Sequence, residues 1–109
     1  MKKKTSIKIN KNLLWEYDLK NFDYDKNSYI VVERVIECGV KKDFDAIEQY
    51  YGKENLQQIV RDQVKYLNDI DMNFASHYYK VNIKDMKCYK IKKKHEKLLK
   101  IKINNTFQG

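Results

Sequence analysis

The sequence predicts a mainly α-helical fold, a compact four-helix core, with a small antiparallel β element. Apolar residues recur at helical spacing through the middle of the chain. The whole chain contains only three glycines and no proline, so few residues interrupt regular structure. Near both ends, apolar and polar residues alternate over short stretches, as is typical of strands. With 109 residues, 42% of them apolar, the chain is long enough for one domain with a single modest core.

The N-terminal end predicts a short strand and then an irregular arm. Residues 4–10 alternate between polar side chains and the apolar Ile7 and Ile9. The aromatic and acidic segment that follows has no clear period. We interpret it as an arm, or as a single helical turn, that lays Trp15 and Phe22 on the core.

The first long helix is predicted from Asn27 to Cys38. Asn27 or Ser28 can cap it, because either side chain can accept a hydrogen bond from a free backbone N–H. Gly39 follows as the residue that ends the helix. The β-branched residues in this stretch also permit a strand, but its length and the glycine favour a helix.

The stretch from Phe44 to Leu67 predicts two short amphipathic helices that meet at Gly52 in a helix-turn-helix-like corner. Gly52 can take a left-handed conformation, which would end the first helix without steric strain. The apolar residues at helical spacing on its two sides are Phe44, Ile47, Tyr50 and Tyr51, and then Leu56, Ile59, Val60 and Val64.

The second helix of this corner has a polar face made of Gln57, Gln58, Arg61 and Lys65. Glutamine and arginine can form paired hydrogen bonds to the edges of adenine and guanine. A DNA-contacting helix normally lies on a basic body, because phosphate contacts supply much of the affinity. This face lies in an acidic part of the chain, so a solvated helix surface is the favoured interpretation.

A further helix is predicted to begin at Asn68, with Asn68 as the N-cap and Asp71 three residues later. The spacing predicts a face of this helix that lies on the core, with Met72 and Tyr79 beside it. The residues of that face are Ile70, Phe74, Tyr78 and Val81.

The C-terminal stretch has two possible structures. Residues 87–92 and 98–104 both alternate, which favours a β-hairpin with a charged turn, and the strand at residues 4–10 could complete a small sheet. The rival is a basic helix from Lys90 to Lys102, in which Ile91, His95, Leu98 and Leu99 share a face. We favour the hairpin.

Charge divides the chain into three parts. Residues 1–11 have five lysines and no acid, residues 12–79 have eight Lys/Arg against thirteen Asp/Glu, and residues 80–109 have ten lysines against two acids. The three sums, +5, −5 and +8, give the net charge of +8. We therefore predict a single domain with an acidic helical core at 12–82 and basic extensions at 1–11 and 83–109.

The densest positive charge is a C-terminal lysine cluster. Lysine is a hydrated point charge that suits phosphate groups or an acidic protein face, and a plain solvated surface is the alternative. The members of the cluster are Lys90, Lys92, Lys93, Lys94, Lys97, Lys100 and Lys102.

Catalysis and metal binding have little support. The chain lacks a glycine-rich phosphate loop, a Gly-x-Ser-x-Gly motif and the His-x-x-x-His spacing of a zinc helix. His77, His95, Cys38 and Cys88 match no zinc-finger spacing. We expect no enzyme activity and no cofactor or metal. Because no apolar run is long enough for a membrane span or signal peptide, we also expect a cytoplasmic protein with free thiols.

The chain resembles a small uncharacterised bacterial helical domain family from Leu13 to Tyr79. The family's motifs correspond to Leu14-Trp15-Glu16-Tyr17-Asp18, to Val31 through Gly39, to Tyr50 through Glu54, and to Leu67-Asn68-Asp69 with Asn73-Phe74. In the last motif, Asn68 stands where the family has a capping serine and Asp69 where it has proline. The basic extensions depart from the family pattern.

The resemblance implies an all-helical core and an antitoxin role beside nucleotidyltransferase toxins of the abortive-infection type. We therefore expect a non-catalytic, inhibitor-like protein that binds a protein partner and uses its basic surface as an auxiliary contact. The alternative is a DNA- or RNA-binding regulator that uses the corner at residues 44–67 and the lysine cluster. The sequence does not indicate an oligomeric state.

Overall fold

The computed structural model describes the backbone of residues 7–108 and the side chains of residues 7–100. It contains five α-helices: α1 (Ser28–Cys38), α2 (Lys41–Tyr51), α3 (Lys53–Asp62), α4 (Asp69–Tyr79) and α5 (Lys87–Gln108). Two short 3₁₀ turns, Lys11–Leu14 and Ile83–Asp85, precede α1 and α5. The prediction of a mainly helical fold is confirmed. The prediction of a small β element is wrong, because residues 7–108 contain no strand.

Helix α3 is the centre of the body, since it packs against α1, α2, α4 and α5. Its apolar residues Leu56, Ile59 and Val60 are buried. The burial of a continuous apolar stripe along each surrounding helix supplies most of the driving force for folding. The fully buried side chains include Leu14, Val31, Val32, Val35, Ile47, Met72 and Met86.

The predicted helix at residues 27–38 is confirmed as α1. The predicted cap is only partly right, because the Asn27 side chain makes no capping hydrogen bond. Gly39 ends the helix in an extended conformation, with φ −77° and ψ 165°. Its lack of a side chain serves a close approach, since a Cβ there would lie 2.7 Å from the Val35 carbonyl oxygen.

The two helices predicted on either side of Gly52 are confirmed as α2 and α3, which are joined by Gly52 alone, but the left-handed conformation predicted for Gly52 is wrong. Gly52 has φ 89° and ψ 152°, which lies outside the left-handed helical region and is adopted almost only by glycine. Helix α3 ends at Asp62, so Val64 and Leu67 are buried from an irregular segment rather than from a helix. The single-residue link is shorter than the three- or four-residue turn of DNA-binding helix-turn-helix units.

The predicted N-terminal strand is wrong over residues 7–10, and its first residues lie outside the described part. Ile7 and Ile9 are buried, but the segment has no strand partner. It is held instead by the buried carboxylate of Asp43. Asn10 N–H donates to Asp43 Oδ1 at 2.9 Å and Val40 N–H donates to Asp43 Oδ2 at 3.0 Å.

The predicted C-terminal hairpin is wrong, and the rival helix is the structure that forms. Residues 87–108 make one continuous helix, α5. The residues between the two alternating stretches, 93–97, include none of the glycine or asparagine that a tight hairpin turn requires. Lysine and leucine are good helix formers, so both local propensity and the spacing of Ile91, Leu98 and Leu99 favour the helix.

The predicted orientation of α4 is wrong. Its Asn68 cap is confirmed, because the Asn68 side chain accepts a hydrogen bond from Asp71 N–H at 2.8 Å. The buried residues of the helix are Met72, Ala75 and Tyr79, whereas Ile70 is 81% exposed. Of the predicted face, Val81, which lies beyond the end of the helix, is buried as predicted. Both sets of apolar residues fall at helical spacing, and packing against α3 selects Met72, Ala75 and Tyr79 as the buried set.

The N-terminal aromatic residues were also predicted to lie on the core. Trp15 is 80% exposed, so that prediction is wrong, while Phe22 packs against the core as predicted.

Candidate partner-binding site

Helix α5 begins inside the body and then extends beyond it. Cys88 is buried, as is Met86 just before the helix, and Ile91 is half-buried, but every side chain from Lys93 to Lys100 is exposed. The 22-residue helix is about 33 Å long, and the Cα radius of gyration is 16.6 Å, compared with about 13 Å for a compact domain of this length. We call residues 93–108 the arm.

The part of α5 with described side chains has two distinct faces. Successive residues of an α-helix are about 100° apart, so Ile91, His95, Leu98 and Leu99 share one side. The opposite side, which we call the lysine face, carries Lys90, Lys93, Lys94, Lys97 and Lys100. Leu98 and Leu99 are 55% and 58% exposed, so the apolar face continues beyond the body without cover from residues 7–100.

The structure separates the predicted lysine cluster into groups with different environments. Lys92 is half-buried and forms an ion pair with Asp69, which joins α5 to α4. On the lysine face, Lys93 lies 3.5 Å from Glu96 and 5.5 Å from the centre of the Tyr89 ring. Glu96 is the one acid between residues 87 and 100, so the lysine face keeps most of its charge. Lys102 belongs to the arm, and its side chain is outside the described set.

A groove of about 420 Å³ lies where α5 leaves the body. Its apolar surface comes from Leu67, Ile91 and Leu99, so it joins the apolar face of the arm. Charged side chains of both signs surround this surface. We call it the α5 groove, and its remaining lining residues are Glu37, Lys65, Tyr66, Asn68, Cys88, Lys92, His95 and Glu96.

Burial sets the protonation behaviour of the groups beside the groove. The pKa of the Glu37 carboxyl is raised, mainly by burial. The charge of Arg34 acts against this shift and the charge of Asp71 adds to it. Burial also raises the pKa of the Cys88 thiol, so this cysteine stays protonated and is a poor nucleophile. Cys38 and Cys88 are both free thiols, as predicted.

Glu33 provides a pH-dependence prediction. Burial and the neighbouring Glu37 raise the pKa of its carboxyl, so ionisation at neutral pH destabilises the folded state. A carboxyl whose pKa is higher in the folded state than in the unfolded state lowers the stability of the protein as pH rises. A glutamine amide does not ionise, so we expect Glu33→Gln to increase the free energy of unfolding at pH 7 by less than about 1 kcal/mol. The difference from the parent protein should vanish as pH falls to the ordinary glutamate value of about 4.3.

Urea unfolding of Glu33→Gln and the parent protein between pH 4 and pH 8 measures this effect. Glu96→Gln, on the exposed arm, is the matched control and should change stability by only a few tenths of a kcal/mol. A parent protein that is more stable than Glu33→Gln at pH 7 would contradict the assignment of an unfavourable buried charge.

The polar residues of the predicted corner are engaged mostly with the protein itself. The Gln57 amide donates to the Tyr79 carbonyl oxygen at 2.9 Å, which ties α3 to the end of α4. Arg61 pairs with Asp62 at 2.9 Å. Lys65 lies beyond the end of α3 and its ammonium is 5.7 Å from the centre of the Tyr29 ring. Of these four residues, only Gln58 is exposed and makes no such contact with the described part of the chain.

The end of α3 nevertheless lies close to the start of α5. The pKa of the Asp62 carboxyl is lowered mainly by its hydrogen bond with Arg61 and, to a smaller extent, by the charges of Lys90 and Lys87. Arg61 lies at the same end of α3, and its charge is balanced by Asp62.

The sequence interpretation missed the α5 groove and the exposed side of α4. The groove depends on segments that are distant in sequence, so no local pattern indicates it. For α4, the sequence does contain the signal, namely two apolar stripes on one helix.

No group of His, Cys, Asp or Glu suited to hold a metal ion occurs among the described residues. Within the same part of the chain, no helix combines the length and apolar character that crossing a membrane needs.

Comparison with known proteins gives a likeness for the N-terminal half. No curated protein matches the chain, and no solved structure does. Residues 9–60 match the model of a family of unknown function, DUF6922. The match includes the first 3₁₀ turn, α1, α2 and most of α3, and it leaves out α4 and α5. The chain is thus similar, through the central helices of its body, to a family of unknown function.

Proposed function

We propose that this chain is a non-catalytic binding protein of the inhibitor or antitoxin kind, which contacts a protein partner through its arm and the α5 groove. The observation that carries the proposal is the apolar face of α5, which no side chain of residues 7–100 covers beyond the body. Leu98 and Leu99 are more than half exposed, and Leu99 also belongs to the apolar lining of the groove. Exposed apolar surface of this kind is typical of interaction sites.

The composition of the arm favours a protein as the primary partner. The side chains of residues 93–100 are exposed, and a helix with few packing contacts is only marginally stable in water, so this part of the arm gains stability when it packs onto another surface. An amphipathic helix commonly binds by laying its apolar face into a groove of the partner. Such a partner would offer an apolar groove for Leu98 and Leu99, with acidic residues positioned near the lysine face.

The antitoxin part of the proposal comes from the resemblance in the sequence. Residues 12–79, which include α1 to α4, have a net charge of −5. A nucleotidyltransferase must hold phosphate groups in a positively charged cleft. An acidic body can cover such a cleft by charge complementarity, which mainly improves specificity and the association rate.

Co-expression with the product of the neighbouring gene, followed by affinity purification and calorimetry, tests the proposal. The parent chain should form a complex, and Leu98→Asp with Leu99→Asp should weaken it by at least about tenfold because two charged groups would be buried. Lys41→Gln with Lys42→Gln, on α2, is the matched control and should bind normally. A chain that forms no complex with that product would sink the inhibitor proposal.

Nucleic-acid binding through the lysine face is the second candidate. Lys90, Lys93, Lys97 and Lys100 occur at every third or fourth residue over about 15 Å of helix, a distribution that suits a phosphate backbone. Affinity for random duplex DNA or single-stranded RNA should then fall steeply with salt. Substitution of the lysine face with glutamine should abolish binding, and failure to bind at about 50 mM salt would contradict this candidate.

A further inference from the structure

The outer side of α4 carries an ordered apolar stripe that points away from the core. Ile70 is 81% exposed, Phe74 is 42% exposed and Tyr78 is 44% exposed. These residues are four apart, so they form a line about 12 Å long, which we call the α4 stripe. It is distinct from the arm and from the α5 groove.

Ring contacts hold the aromatic part of the stripe in place. The Phe74 and Tyr78 rings are stacked with their centres 5.2 Å apart. Phe44 of α2 supports both, at 5.6 Å from Phe74 and 5.3 Å from Tyr78. A preformed surface of this kind loses little side-chain entropy when it binds, which favours association.

Charges at the two ends of the stripe have opposite sign. The start of α4 carries Asp69 and Asp71, and Asp69 already pairs with Lys92. The far end carries Lys80, which follows the helix. A partner that fits the stripe therefore presents an apolar line with the opposite order of side-chain charges.

A second α4 in antiparallel orientation has this arrangement. We propose that the α4 stripe binds the α4 stripe of a second copy of this chain, with a two-fold axis near Phe74. Ile70 of each copy then faces Tyr78 of the other, and the acidic end of each helix lies beside the basic end of its partner. Parallel pairing would bring like charges together. A two-fold contact uses the same patch twice and closes after two subunits.

The dimer carries two arms. If each arm binds one site on a partner, the second binding event becomes intramolecular and total affinity exceeds that of a single arm. The proposal does not depend on the partner of the arm, because the α4 stripe and the arm are separate surfaces.

Sedimentation of the full chain over a wide concentration range measures the association. The parent protein should approach the mass of a dimer as concentration rises. Ile70→Lys should raise the dissociation constant by at least about tenfold, because it buries a charge in the contact. Trp15→Lys, at a similarly exposed apolar residue, is the matched control and should associate like the parent. A parent protein that stays monomeric throughout, or an Ile70→Lys variant that dimerises normally, overturns the proposal.

Disulfide cross-linking under a mild added oxidant tests the orientation. In a Cys38→Ser background, Phe74→Cys should cross-link with itself because the axis passes near this position. Ile70→Cys should not cross-link with itself, but it should cross-link with Tyr78→Cys when the two proteins are mixed. Efficient self-cross-linking of Ile70→Cys would indicate parallel pairing and would overturn the antiparallel arrangement.

Discussion

Asp43→Ala is expected to lower the free energy of unfolding by about 3 kcal/mol, the larger of the stability effects considered. The Asp43 side chain is buried, and its two oxygens accept hydrogen bonds from the backbone of Asn10 and Val40. Hydrogen bonds to charged groups contribute more than neutral ones, and their loss leaves two donors without partners. One bond caps α2, and the other holds the segment that buries Ile7 and Ile9.

Thermal and urea unfolding, together with limited proteolysis, measure this effect. Asp45→Ala is the matched control, because Asp45 is on the same helix but exposed, where it pairs with Lys41. Its loss should change stability by less than about 1 kcal/mol. The Asp43→Ala protein should also be cleaved faster near residue 10. Equal stability of the two variants would show that the buried carboxylate does not anchor the N-terminal segment.

Lys97→Pro is expected to abolish partner binding while the body remains folded. Proline removes a backbone donor and clashes with the carbonyl group of residue 93, which disfavours the helix by about 3 kcal/mol or more. The helix would break in the arm, so the lysines and leucines would no longer lie on opposite faces. The body should keep its stability, because all side chains from Lys93 to Lys100 are exposed.

Circular dichroism, unfolding curves and the complex-formation assay together measure this prediction. Lys97→Ala is the control, since it removes the same charge but keeps the helix. It should retain most of the binding. If Lys97→Pro binds as well as Lys97→Ala, a helical arm is not needed for the interaction. If its body unfolds at much lower urea concentration, the arm contributes to the core.

Local patterns were sufficient wherever one helix face had a single clear interpretation. The limits of α1, the hinge at Gly52 and the cap at Asn68 follow from residues adjacent in the chain, and the structure confirms all three. The lysine cluster was also evident from the sequence. Its division into an exposed lysine face and a Lys92 ion pair requires the helix and its neighbour α4.

The errors occur where two local solutions have similar energies. In α4, the stripes through Ile70 and through Met72 are both helical, and only the contact with α3 and its neighbours selects one. At the C-terminus, alternation and helical spacing overlap in the same residues. Ile7 and Ile9 alternate like a strand, but Asp43, more than thirty residues later, determines that they pack as an irregular segment.

The sequence by itself determined the helical class, the position of the central corner and the division of charge, because these depend on composition and on neighbours within one or two turns. The tertiary structure decided which face of α4 is buried, where α5 leaves the body, and that a groove forms at that point. Those features depend on contacts between distant segments, and the free energy of such contacts outweighs the small differences between local conformations.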